Sequence, residues 1–298
     1  MTPLLVVGES LVDVTTTPEG TTTRPGGSPL NISVGCARLG VAAVLATQVG
    51  DDEAGDLVRD HLDLADVDVR SLPPHRAETS IARADIDAAG HATYEFDLTW
   101  DPSELPAPAD FGCVHVGSIG ATLSPGADAV AALAAEAAES GVPVTFDPNV
   151  RPSITPDMSD VRERVARVAE LATVIKLSDE DADVLWPDAE DLLGALAGSG
   201  LTRLAVMTCG GRTVVLQSGD ARVEVEPPTV DVVDTIGAGD SFMAALIWAL
   251  TERDRLSGDD LDADELRELG TIAARAAAIT CTRAGADPPT RKELETRP

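Results

Sequence analysis

The stretch Asp234-Thr235-Ile236-Gly237-Ala238-Gly239-Asp240-Ser241 sets a small glycine-rich peptide between two aspartates. The uncharged run 242–250 follows and reads as the start of a buried helix. Glycines ahead of a helix leave backbone N–H groups pointing outward at the positive end of its dipole, which makes an anion hole of phosphate size. Asp240 stands at the rim, where a carboxylate could take a proton from an alcohol. A base beside an anion hole is what phosphoryl transfer to a hydroxyl needs. A loop-to-helix turn with capping aspartates uses the same residues, so the rest of the chain has to decide between the two.

The elements that would position these groups alternate. Short apolar runs at 4–7, 41–49, 114–117, 142–146, 174–177 and 204–207 read as strands. Helical patterns fall between them, at about 29–39, 52–64 and 126–140, and around Val161, Val165, Val168 and Leu171, which share one face. Ser28-Pro29 reads as an N-cap followed by proline at the first helical position, with Gly40 as the stop. Such alternation predicts an α/β fold with a parallel sheet covered on both faces. Two regions differ. Residues 15–25 are polar and turn-rich. Residues 80–99 alternate through Ile81, Ala84 and Ile86, turn at Ala89-Gly90, and resume at Tyr94, Phe96 and Leu98, which is a hairpin pattern. Together they suggest a small projecting β element, from about 13–25 and 78–101, inserted in a single domain spanning 1–298. Beside an active site it would be a lid; an edge ornament or a dimer contact would read the same way.

At 298 residues with 44% hydrophobic side chains, the chain can bury a full core. Its formal net charge is −29, and of 22 basic residues only Lys176 and Lys292 are lysines. That balance argues against nucleic-acid or anionic-membrane partners, which need a positive field. A nucleotide would need a metal ion and local cationic or N–H groups. A high-salt setting would explain the acidity, as would a bias towards Ala, Asp and Arg. Cys36, Cys113, Cys209 and Cys281 are far apart in apolar stretches and form no CxxC pair, which suggests buried free thiols and no zinc site. The chain start lacks the basic residues and length of a signal peptide, and no stretch approaches a membrane span. The expectation is a soluble cytoplasmic protein.

With these residues in view, the chain resembles the ribokinase-like, or PfkB-type, sugar kinases. Asp234-Thr-Ile-Gly-Ala-Gly-Asp240 matches the family's D-T-x-G-A-G-D motif, and Gly26-Gly27-Ser28-Pro29-Leu30-Asn31 its G-G-x-x-x-N segment. Gly8-Glu9 with Asp13, and Val49-Gly50-Asp51-Asp52, fall where the family has its opening strand with a sugar-contacting carboxylate and its V-G-x-D. The motifs run in order over nearly the full length. His115-Val116-Gly117-Ser118, 146–152, 176–181 and 283–289 look like the fructokinase branch.

The resemblance implies a three-layer α/β/α sandwich with a mostly parallel central sheet and a β lid. It makes Asp240 the general base and gives the amides of Gly237, Ala238 and Gly239 to the moving phosphoryl group. Asp13 and Asn31 would hydrogen-bond sugar hydroxyls, Gly26 and Gly27 would let the backbone approach the sugar, and Arg151 would bring positive charge. Asn31 as a helix-end residue, Asp13 as a solvated carboxylate and Arg151 in a surface ion pair are the structural alternatives. Thr208 and Gly210 would contact the nucleotide, together with Asp181 of the element 178–181. There the family has N-x-x-E, so Ser178 and the shorter Asp181 depart from its pattern, as does Thr213 where a glycine is common. ATP would bring Mg²⁺, and a K⁺ ion behind the anion hole would take Asp234, the Ile236 carbonyl and the Gly285 region as ligands; turn formation is the alternative role of Asp234. No G-x-x-x-x-G-K-[ST], H-R-D, D-F-G or H-E-x-x-H set is present, and His61, His75, His91 and His115 are scattered. The implied activity is phosphorylation of a primary hydroxyl of a small sugar, fructose first, with ribose, 2-keto-3-deoxygluconate or a nucleoside as other acceptors. A catalytically idle sugar- or nucleotide-binding regulator is the reading from another class. Lid pairing between two copies would make a homodimer.

Overall fold

In the computed structural model, which describes residues 2–89 and 91–296, the chain folds into two sheets. The large sheet is built from β1 (Leu4–Val7), β4 (Ala43–Thr47), β5 (Asp68–Ser71), β8 (Cys113–Gly117), β9 (Val144–Asp147), β10 (Val174–Ser178), β11 (Leu204–Thr208), β12 (Val214–Ser218) and β13 (Ala221–Val225). Its order is β13-β12-β11-β10-β9-β8-β1-β4-β5, parallel from β11 to β5 and antiparallel only at the β12–β13 end. The small sheet has the order β3-β2-β6-β7, from β2 (Leu11–Thr17), β3 (Gly20–Gly26), β6 (Ser80–Ile86) and β7 (Ala92–Asp97).

The helices are α1 (Ser28–Arg38), α2 (Glu53–Asp63), α3 (Ser118–Thr122), α4 (Gly126–Glu139), α5 (Met158–Ala169), α6 (Asp179–Leu185), α7 (Leu192–Ala197), α8 (Ala238–Glu252), α9 (Ala263–Cys281) and α10 (Arg291–Glu295). They cover both faces of the large sheet. Strand alternation divides the core accordingly. Leu4 and Val6 pack with Leu30, Met243, Leu246 and Leu266 of α1, α8 and α9. Leu5 and Val7 pack with Val130, Leu133, Val161 and Val165 of α4 and α5. Buried on both sides, β1 has to be apolar at every position. The expected three layers are present.

Four details depart from the sequence reading. Residues 15–25 fall in β2 and β3, so the polar segment is itself a hairpin. Its Thr-rich strands lie on a half-exposed sheet and need no apolar face. Helix α1 starts one residue early: Gly27, at φ 106°, is the cap, and Ser28 lies inside the helix with no capping bond. The edge strands β5 and β13, and β12 next to β13, were not expected. Cys281 is only half-buried, whereas Cys36, Cys113 and Cys209 are buried; all four are free. Gly90, half of the expected hairpin turn, lies outside the described residues. Among the described residues, no helix is long and apolar enough to cross a membrane.

Two contacts fix the site's supports. Asp52 caps α2 through Gly55 N (2.8 Å) and accepts from Thr79 N (2.9 Å) and Thr79 Oγ1 (2.6 Å), which ties α2 to the root of lid strand β6. Helix α8, with every residue from Asp240 to Leu250 buried, lies against α1 and α9. There a Cβ at Gly35 would sit 2.7 Å from Ala244 Cβ. Gly35→Ala is therefore expected to force the two helices apart and lower unfolding free energy by about 1–3 kcal/mol. Urea titration measures this, and an unchanged midpoint would show that α1 and α8 have slack.

Candidate active site

The carboxyl ends of the parallel strands line one edge of the large sheet, the side on which open α/β sheets bind ligands. A cavity of about 680 Å³ opens there, between that edge and the small sheet. Asp240, Gly237, Gly239, Asp13, Asn31 and Arg151 all line it. Residues that lie up to 227 positions apart in the chain (13 and 240) thus share one chamber.

Helix α8 begins at the cavity wall. Gly237 caps it in the left-handed region (φ 74°), and a Cβ there would lie 2.5 Å from Ala286 Cβ, so only glycine suits both the turn and the packing. The Ala238 amide donates to Thr235 O at 3.2 Å and is committed. Among the described residues the amides of Gly237, Gly239 and Asp240 meet no acceptor. The free amides at this helix start are therefore those of Gly237, Gly239 and Asp240, while Ala238, one of the three amides the sequence reading gives to a phosphoryl group, is already bonded.

Asp240 is buried and held from both sides. Ser28 Oγ donates to Oδ1 (2.6 Å), and Asn31 Nδ2 donates to Oδ2 (2.8 Å). The start of α1 therefore orients the carboxylate at the N-terminus of α8. Asn31 thereby spends one of its two N–H donors on Asp240, leaving the other and its carbonyl oxygen open. Asp13 turns towards Gly26, where any Cβ would collide with Asp13 Oδ2. A Cβ at Gly27 would stand 2.7 Å from Glu9 O. Burial pushes the Asp13 carboxyl up. Arg151 is exposed, bonds only the carbonyls of Asn149 (3.4 Å) and Val150 (3.0 Å), and has no carboxylate partner among the described residues.

Three groups that the sequence reading left out complete the chamber. Lys176, in the middle of β10, is buried and donates to Asp147 Oδ2 (2.9 Å); its Nζ lies 3.1 Å from where a Cβ on Gly239 would be. An ammonium is thus packed against the anion hole. Burial acts to lower its pKa, but Asp147, Asp181 and Asp240 outweigh that and hold it above the ordinary lysine value. The signal was present in the chain: one of two lysines, set in the apolar run 174–177. Glu9, after β1, lines the cavity and accepts from Gly120 N (2.7 Å) through Oε2, while Oε1 is buried without a donor. Tyr94 and Phe96, stacked with centroids 6.2 Å apart, face the cavity from the small sheet.

Other expected site residues lie along the same edge but outside the cavity lining. Thr208 ends β11, and Gly210 follows in the left-handed region (φ 57°). The Asp181 carboxylate is occupied: Oδ2 accepts from Ser178 N (2.9 Å) and Oγ (2.7 Å), and Oδ1 from Val150 N (2.8 Å). Ser178 and Asp181 form the capping box of α6, so the two departures from N-x-x-E fit each other. Asp234 accepts from Ile236 N (3.0 Å) and Gly285 N (2.8 Å), closing the loop ahead of α8. Its carboxyl lies below the usual range. Burial opposes this, but the amides of Ile236, Gly285 and Thr235 and the charge of Arg24 outweigh it.

Residues 1–293 match the pfkB family carbohydrate kinase pattern. The chain belongs to that family. A fructokinase of Klebsiella pneumoniae is 33% identical over 258 residues, 82% of this chain and 83% of its own. The crystal structure of fructokinase from Xylella fastidiosa with bound ATP superposes with a TM-score of 0.84 at 25% identity, covering 98% and 97% of the two chains. Fructokinase from Vibrio cholerae in its fructose, ADP and calcium ion bound form gives 0.82 at 26% identity, covering 99% and 98%. This protein is a carbohydrate kinase, and its chamber brings together a fixed carboxylate, free amides and a buried cation.

The Glu9 carboxyl in this kinase is raised to about 7. Burial is the main cause and the Asp240 charge adds to it, against the pull of its own amide, the Gly120 amide and the Ser118 hydroxyl. A folded pKa above the unfolded one stabilises at low pH, and that contribution disappears as pH rises through 7. Glu9→Gln, which cannot ionise, should match wild type near pH 5 and exceed its stability at pH 8 by up to about 3 kcal/mol. Urea titrations at the two pH values measure the gap; parallel pH dependences would show that Glu9 does not ionise in this range.

Proposed function

We propose that this kinase transfers the γ-phosphoryl group of ATP to a primary hydroxyl of a small sugar, fructose first, giving fructose 6-phosphate and ADP. One observation carries the reading. Asp240 is held by Ser28 and Asn31 at the mouth of three free amides, with the Lys176 ammonium behind them. The support for fructose is that the Vibrio cholerae relative binds it together with ADP. The sugar sits against Asp13 and the Asn31 carbonyl oxygen, with Tyr94 and Phe96 above it. Its primary hydroxyl points at Asp240, which accepts the proton as the oxygen bonds the γ-phosphorus and the bond to ADP breaks. The amides of Gly237, Gly239 and Asp240 take the charge of the moving group, and Lys176 and Arg151 offset what develops around it. Ala238 supports the turn.

The nucleotide runs from the anion hole along the sheet edge towards Thr208 and Gly210. Mg²⁺ supplies charge neutralisation on its phosphates and keeps most of its waters. That fits a site where, among the described residues, no three metal-ligating side chains cluster. Asp147 Oδ1 is buried without a donor among the described residues, and the Asp181 carboxylate holds Val150 and Ser178. A K⁺ ion fits the oxygen-only donor set of Asp234, the Ile236 carbonyl and the Gly285 segment, where it would steady the loop 234–237. Residues 1–298 act as one kinase domain, with the small sheet as a lid that can also pair with a second copy. The protein works in the cytoplasm, where ATP is made available.

Coupled ADP release over a panel of fructose, ribose, 2-keto-3-deoxygluconate and a nucleoside tests the acceptor, and fructose is expected to give the highest kcat/KM. No turnover on any ketose would remove the fructokinase reading, and none on any acceptor would favour a binding regulator. Asp240→Asn is expected to lower kcat by about 100-fold or more with sugar affinity kept. Turnover equal to wild type would remove Asp240 as the base.

A further inference from the structure

The geometry points to Arg24 as a positioning residue that spans the cleft from the lid and holds the phosphoryl loop in register with the sugar-binding strand. The proposal rests on the kinase reading of the same chamber. Arg24 lies on β3, directly opposite Asp13 on β2. Opposed residues of an antiparallel pair share a sheet face, and Asp13 lines the cavity, so Arg24 leaves from the cavity side of the lid. The two side chains part: Asp13 leans towards Gly26, and Arg24 crosses to the main body. There its guanidinium rests on Gly285, whose missing side chain makes the space, since a Cβ would collide with Arg24 Nη1.

Gly285 is a joint of the anion hole. Its amide is bonded to Asp234 Oδ2, whose other oxygen holds Ile236 N, and the next residue, Ala286, packs on Gly237. Contact therefore runs from Arg24 through Gly285 and Ala286 to the capping residue of α8. Two residues along β3 from Arg24 is Gly26, beneath Asp13. One strand thus supports the Asp13 carboxylate and presses on the loop that receives the phosphate. The Arg24 side chain makes no ion pair or hydrogen bond among the described residues, although the chain carries 51 acidic side chains. Its placement is set by the fit on Gly285 and by the negative loop under it. If the lid moves, this contact makes and breaks with it, so the hole would be set only when the sugar strand is down.

Arg24 is exposed, so Arg24→Ala should fold. The expected result is a kcat lower by about 10- to 100-fold, from misplacement of the phosphoryl loop, with sugar KM within about twofold of wild type and an unchanged melting temperature. Arg24→Lys, which keeps charge and reach, should recover most of the loss. Hydrogen exchange of the peptide covering 234–240 should be roughly tenfold faster in Arg24→Ala than in wild type, with other peptides unchanged. Gly285→Ala, which expels the guanidinium, should slow wild type but add little in the Arg24→Ala background. Wild-type-like exchange and kcat in Arg24→Ala would overturn the proposal, and so would equal costs of Gly285→Ala in both backgrounds, which would mark simple strain at φ 76°. The exchange measurement needs no substrate, so it tests Arg24 even if wild type turns over no sugar, the result that would sink the kinase reading instead.

Discussion

Four carboxylates, those of Glu9, Asp147, Asp181 and Asp240, are buried at the carboxyl edge of the sheet with one ammonium, that of Lys176, in direct contact with the set. Burying like charges together is costly unless each has its own answer. Each carboxylate here has a different one. Asp147 takes the Lys176 ion pair, and burial still pushes its own carboxyl up. Asp181 takes three donors, from Ser178 and Val150. Glu9 gives up its charge as its pKa climbs. Asp240 takes two neutral donors from α1. Only Asp240 is left both held and facing the chamber with free amides beside it, and that difference in environment is what favours it as the proposed base.

The fold supplies the donors by bringing α1 and α8 close. Ser28 and Asn31 reach Asp240 because the helices approach at Gly35 and Ala244 with no side-chain bulk between them. The early start of α1 belongs to the same arrangement. With Gly27 as the cap at φ 106°, Ser28 is released from capping its own helix and its hydroxyl is free to bond Asp240. Glycines at 26, 27, 237 and 285 then clear space for, in turn, Asp13, the Glu9 carbonyl, Ala286 and Arg24. The chamber is in this sense defined by missing side chains.

The sheet's central strands were legible because burial on both faces leaves continuous apolar runs such as Leu4–Val7. The edge strands were not. Asp68–Ser71 is mostly exposed, and Ala221–Val225 carries Arg222 and Glu224 on its outer face, so neither forms such a run. The alternation of β13 and the short apolar run Val214-Val215-Leu216 of β12 were nonetheless present in the residues. The small sheet was legible as a hairpin at 80–99 and in outline at 13–25, where polar threonines hid two strands. Within the site, the motif residues Asp240, Gly237, Gly239, Asn31 and Asp13 could be named because their types and order carry the chemistry. Lys176, Ser28, Glu9 and Arg24 could not, since each acquires its part from a partner far along the chain: 29, 212, 111 and 261 positions away, at Asp147, Asp240, Gly120 and Gly285.

Net charge and local field point in opposite directions in this protein. At −29, the surface as a whole repels a nucleotide at long range. Most of its arginines are committed to carboxylates at the periphery, as in Arg164 with Asp128 and Asp160, Arg222 with Asp191, and Arg291 with Glu252 and Glu295. Those pairs are solvated, and beyond about 8–10 Å their fields are screened at moderate salt. The field at the chamber is different: it is set by unbonded amides at the start of α8, the Lys176 ammonium beside Gly239, and Arg151 and Arg24, which have no carboxylate partner among the described residues. Buried dipoles and charges are screened far less than surface ones. A strongly acidic exterior is therefore compatible with an anion site, provided the few cations near it are kept out of surface pairs.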